Sequence, residues 1–100
     1  MALYLDGAGH LCETKVITIG TLNQSLVHPR EVFALAVENR CASIIVAHNH
    51  PSATLEPSSA DIAITKRLKE SGELLGIELL DHLILTKDGY FSFNEEGIVL

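Results

Sequence analysis

The period of polar and apolar positions changes several times along the chain, and each change marks an element. Residues 2–6 read as a short strand and Gly7-Ala8-Gly9 as the turn after it. Residues 11–19 include Thr14, Val16, Ile17, Thr18 and Ile19. These β-branched side chains suit a pleated surface, so the spacing predicts the returning strand of a hairpin. Gly20 closes it, and residues 21–27 read as loop with a short extended piece. Around Pro29 the period lengthens. Val32, Phe33, Ala36 and Val37 fall on one face of a helix that opens at His28-Pro29-Arg30-Glu31, where proline suits the first helical position. Glu38-Asn39-Arg40 ends it. Residues 42–48 have too little polarity for an edge strand and predict one buried on both faces.

A second helix is predicted from about residue 58 to 71. Ile64 and Leu68 lie on its inner face, with Lys66, Arg67, Lys69 and Glu70 mostly outside that stripe. Gly72 and Gly76 mark its fraying end and the turn. Residues 77–86 then read as a long strand, Lys87-Asp88-Gly89 as a hairpin turn, and residues 90–93 as the returning strand. The order β-β-α-β-α-β-β predicts an α/β fold with a mixed sheet flanked by helices.

One hundred residues hold a single core, so residues 1–100 are expected to form one domain. The chain begins almost inside its first strand, which suggests a fragment cut from something longer. A content of 47% hydrophobic and 20% charged residues describes globular material rather than disorder. The net charge of -6, with its few basic residues scattered, would repel a phosphate backbone, so direct nucleic-acid binding by this domain is not expected. Cys12 and Cys41 show no paired ligand spacing and predict a reduced, cytoplasmic protein. No apolar run approaches a membrane span, and no signal peptide opens the chain.

The chemistry concentrates after the buried strand. His48 and His50 stand one residue apart at its end, and strand side chains alternate, so both imidazoles point to one side and could reach one ion. Asp61 follows at the start of the next helix. Two histidines and a carboxylate suit zinc, and three protein ligands leave a fourth position for water, which marks a catalytic site. Ser58 could hydrogen-bond that water or an oxyanion. A structural reading covers part of the same set, because Ser58 fits a helix N-cap and Asp61 the positive end of the dipole. Spacing alone leaves both open. His82 reads as a paired or surface histidine in a strand, His10 and His28 as solvated, and Cys41 as a small core residue.

His48-x-His50, seven residues, Ser58, two residues, Asp61 resembles the JAMM signature of MPN-type zinc metalloproteases. The wider wording resembles the RadC family: Gly20-Thr21-Leu22, Val27-His28-Pro29-Arg30-Glu31-Val32, His48-Asn49-His50-Pro51-Ser52 and Leu80-Asp81-His82. The resemblance covers essentially the whole chain. It implies a three-layer MPN fold related in layout to cytidine deaminases, with zinc held by His48, His50 and Asp61 and with Ser58 beside a catalytic water. It also implies a protein or peptide substrate and hydrolysis of a peptide or isopeptide bond. RadC proteins were named for a supposed role in DNA repair and usually carry a helix-hairpin-helix region before this domain. The expectation is a C-terminal fragment without that region.

The chain departs from the pattern at one point. JAMM enzymes use a glutamate as general base at the start of the first strand, and only Met1 and Ala2 stand there. Neither Glu13 nor Glu31 matches the position, so the expectation places that glutamate upstream of Met1 and this fragment's activity low, since general acid–base catalysis contributes ~10²–10⁴-fold. A zinc-dependent hydrolase is thus the first expectation, and a non-catalytic MPN-like binding module of a DNA repair or recombination protein the second. His48-Asn49-His50 as an HNH nuclease is set aside, because that signature is spread over a hairpin and helix. A zinc deaminase would need a Pro-Cys-x-x-Cys segment that the chain lacks.

Overall fold

Strand β3, Ser43–Asn49, forms the middle of a five-stranded sheet of order β2-β1-β3-β4-β5. The computed structural model describes residues 2–15, 29–49 and 55–100. Its further elements are β1 (Ala2–Leu5), β2 (Leu11–Lys15), α1 (Pro29–Glu38), α2 (Ser59–Leu75), β4 (Glu78–Thr86), β5 (Gly89–Ser92) and α3 (Phe93–Glu96). β1 runs antiparallel to β2 and β3, β3 and β4 are parallel, and β4 and β5 close an antiparallel hairpin. The mixed α/β architecture expected from the sequence is therefore present. α2 makes the crossover between β3 and β4 that a parallel pair requires.

The core lies between the sheet and the two longer helices. Ala2 and Tyr4 of β1, Ile44 and Val46 of β3, and Leu79 of β4 meet Val32, Phe33 and Ala36 of α1 and Ile64 and Leu68 of α2. The Tyr4 hydroxyl is buried there and donates to the carbonyl of Val32 at 2.6 Å, which ties the sheet to α1. β3 is covered on both faces except at its end, as its lack of polar residues predicted.

Several boundaries differ from the sequence reading. Strand β2 is described as far as Lys15, and the expectations for residues 16–28, including the loop at 21–27, lie outside the described residues. Val37 is 56% exposed although it falls next to the apolar stripe of α1. Helix α2 continues through Gly72 to Leu75 and ends at Gly76, whose left-handed φ of 73° forms the C-cap. Gly72 is no fraying end but a contact point, since a Cβ there would stand 2.2 Å from the carbonyl oxygen of Ile77. The last strand stops at Ser92, which caps the short α3, so Phe93 opens a helical turn. Among the described residues no helix is long and apolar enough to cross a membrane.

Candidate metal centre

His48 reaches the site because β3 alternates. Ile44, Val46 and His48 share the face that looks toward α2, and the parallel register sets Val46 opposite His82 and His48 opposite Ile84. The two histidines thus stand on neighbouring strands, offset by two register positions, and their rings meet. His48 Nδ1 lies 2.9 Å from His82 Nε2.

His82 points inward only because β4 carries a bulge. Ile44 pairs with Leu79 and Ile45 with Asp81, so Leu80 is the extra residue. Strict alternation from the buried Leu79 would turn His82 to the opposite face. The additional residue turns it back, and its side chain is fully buried. Asp81 braces this irregularity. One carboxylate oxygen accepts from the backbone N–H of His82 at 2.8 Å and of Asn94 at 3.1 Å, and the other from the Ser92 hydroxyl at 2.5 Å. The Asn94 side chain donates to the carbonyl of Leu80 at 3.0 Å. Phe93 then stacks on His82.

Asp61 comes from the first turn of α2 and is fully buried. Its Oδ2 accepts from the backbone N–H of Ser58 at 2.8 Å, while its own N–H donates to the Ser58 hydroxyl oxygen at 3.0 Å. This is a reciprocal capping box, closed here by aspartate rather than the more usual glutamate. The second oxygen, Oδ1, stands 3.3 Å from His48 Nε2. Helix cap and metal ligand were rival readings of Asp61 in the sequence. The structure shows the cap through Oδ2 and turns Oδ1 toward His48.

The two described donors suit zinc. Zinc binds imidazole nitrogen and carboxylate oxygen at about 2.0–2.2 Å, so two such ligands at a tetrahedral angle stand about 3.3 Å apart. That is the His48–Asp61 separation. The two atoms are enclosed, with side-chain exposures of 9% and 0%. A nitrogen lone pair facing a carboxylate repels it in so dry a place, and a proton or a cation between them makes the pair favourable. Ser58 sits at the exposed edge of the site and orients its hydroxyl by accepting from Asp61. His50, the remaining ligand expected from the spacing, lies outside the described residues. Among the described residues no group of three His, Cys, Asp or Glu is gathered around one point. Glu13 stands on β2, which β1 separates from β3.

The chain matches the RadC-like JAB domain over residues 1–98. It belongs to that family. A UPF0758 protein of Pelobacter propionicus is 48% identical over 99 residues, 99% of this chain and 43% of the relative. One from Methanospirillum hungatei is 56% identical over 93 residues, covering 93% of this chain and 41% of the relative. A third, from Shouchella clausii, is 50% identical over 97 residues, with shares of 97% and 42%. The chain therefore spans less than half the length of these relatives.

Two residues of this RadC-like domain escaped the sequence reading. His82 is paired, as expected of a strand histidine, but its partners are site residues: His48 on one ring nitrogen and the Thr65 hydroxyl at 2.5 Å on the other. Thr65 is fully buried and one helical turn beyond Asp61, whose carbonyl accepts its hydroxyl at 2.7 Å. The i, i+4 spacing of Asp61 and Thr65 on the buried face was the available sign. His82 could be found only once the bulge was known.

Proposed function

We propose that this RadC-like JAB domain is a zinc-dependent hydrolase that cleaves a peptide or isopeptide bond in a protein or peptide substrate. The observation that carries the reading is the 3.3 Å approach of His48 Nε2 to Asp61 Oδ1 between two buried side chains. His48, Asp61 and, by the spacing of the motif, His50 would hold the ion. Zinc held there would supply Lewis acidity and lower the pKa of a water to about 7.

The chain's own residues do the rest. The Ser58 oxygen accepts from the Asp61 N–H, so its hydroxyl hydrogen can be donated to a substrate carbonyl oxygen as negative charge develops. The N-terminus of α2 adds the positive end of its dipole at the same place. The capping box fixes Ser58 and Asp61 relative to one another, which limits the reorganisation needed when substrate arrives.

The test is the zinc content per chain of the purified protein, measured by mass spectrometry of the metal, beside His48→Ala. Near-stoichiometric zinc in the parent and its loss in the variant support the reading, and the next readout is chelator-sensitive cleavage of peptide and isopeptide substrates. A parent that takes up no zinc from excess zinc chloride sinks it, leaving Ser58 and Asp61 as a helix cap on a binding module.

A further inference from the structure

His82 and Thr65 lie behind His48, out of reach of any substrate, yet both are fully buried and polar. Buried polar side chains are retained at a cost unless their partners are complete. Here the partners form a line. The Thr65 hydroxyl has a single hydrogen, and the carbonyl of Asp61 accepts it at 2.7 Å. The Thr65 oxygen is then an acceptor toward His82 Nδ1, 2.5 Å away, so that nitrogen carries a hydrogen. In a neutral ring His82 Nε2 is consequently the acceptor, and the facing His48 Nδ1, at 2.9 Å, must be the donor. In that pattern the remaining nitrogen, His48 Nε2, is the one without a hydrogen, and it stands 3.3 Å from Asp61 Oδ1, where a cation between the two would make the approach favourable.

We propose that Thr65 and His82 are positioning residues that hold His48 in the Nδ1-protonated tautomer, so that Nε2 is offered to a metal. The inference rests on the metal-site reading above and adds how that site is kept ready. The alternative polarity is equally specific. If the Thr65 hydrogen turned from the Asp61 carbonyl to His82 Nδ1, each ring would carry its hydrogen on Nε2, and the one on His48 would block the ligand position. Both polarities hold the same number of hydrogens, so the choice between them is made by hydrogen-bond direction alone. Because the two rings meet nitrogen to nitrogen, they must share a tautomer. A mixed pair would set two hydrogens or two lone pairs against each other at 2.9 Å.

Two further contacts hold His82 in the line. Phe93 covers one face of its ring, with centroids 4.8 Å apart and planes within 9° of parallel. Asp81 anchors its backbone N–H and the start of α3 together. The ring therefore meets both partners at fixed angles, as an outer group that orients a ligand must.

The experiment uses the whole chain, Thr65→Val and Thr65→Ser, with zinc affinity measured by competition with a chelating dye. Valine matches threonine in shape but takes no hydrogen bond, and serine restores the hydroxyl. Thr65→Val is expected to bind zinc about 10–100-fold more weakly, the usual effect of losing such an outer contact, and Thr65→Ser to recover most of it. Long-range nitrogen–proton NMR spectra of the zinc-loaded parent should show His48 and His82 both protonated at Nδ1. In metal-free Thr65→Val both should carry the hydrogen on Nε2. Circular dichroism melts show whether valine has merely loosened the fold, a change that would leave the shared tautomer in place and would not be reversed by serine. A parent that binds zinc with Thr65→Val equally tight, or rings in different tautomers, overturns the relay and leaves the zinc site standing. A parent that binds no zinc overturns both.

Discussion

The ring of Phe93 lies flat against that of His82, with centroids 4.8 Å apart and planes 9° from parallel. Phe93 is fully buried and also meets Phe91 edge-on, so it joins the short helix α3 to the histidine pair. Phe93→Leu keeps an apolar side chain but removes the flat face. It should destabilise the fold by about 1–2 kcal/mol, read from the urea midpoint. It should also weaken zinc binding a few-fold, because His82 loses the surface that fixes its plane. Unchanged zinc affinity in a destabilised variant would show that the stack serves packing alone.

Asp61 caps α2 and also faces His48, and two variants separate the two contacts. Asp61→Asn keeps a side-chain oxygen for the Ser58 N–H but loses the charge opposite His48, whereas Asp61→Ala loses both. Zinc binding should disappear in each. Stability should fall by about 1–2 kcal/mol in the alanine variant and by less in the asparagine variant, since the helix cap survives there. Zinc retained by Asp61→Asn would mean that the carboxylate is a cap and nothing more.

Gly72→Ala would stabilise an exposed helix by up to about 1 kcal/mol. At this position the sign reverses. The added Cβ would stand 2.2 Å from the carbonyl oxygen of Ile77 and 3.3 Å from Phe33, and the first of these is backbone held by the turn into β4. The Ile77 N–H donates to the Gly72 carbonyl at 2.8 Å, so the two segments cannot part without breaking a hydrogen bond. A loss of about 1–3 kcal/mol is expected from denaturant melts. A neutral or stabilising result would show that the end of α2 shifts freely.

The sequence carried the order of elements well, because each long element has a clean period. The apolar run before His48 is buried as expected, and the pairing of Ser58 with Asp61 follows directly from cap chemistry. What escaped depends on irregularity or on distance along the chain. Periodicity gave no sign that Gly72 is internal to α2, since a glycine near a helix end ordinarily marks the end. Phe93 looked like a strand residue because Ser92, the cap that starts α3, also fits a strand. His82 was the larger miss. Alternation along Leu79-Leu80-Asp81-His82 puts it on the wrong face, and the bulge at Leu80 that reverses this is fixed by contacts from Ser92 and Asn94. Its partnership with His48 spans 34 positions of the chain and arises from parallel pairing, which no local pattern reports.

The capping box bears on how such chains should be sorted. Ser58 and Asp61 satisfy each other's backbone whatever else the domain does, so a descendant without the proposed chemistry would still gain by keeping both. Their presence is thus a poor witness for catalysis. Thr65 and His82 testify better, since an apolar pair would fill the same interior without any hydrogen bond to complete. A chain that keeps the cap but carries valine and phenylalanine at those two places is expected, on the proposed reading, to have lost its zinc.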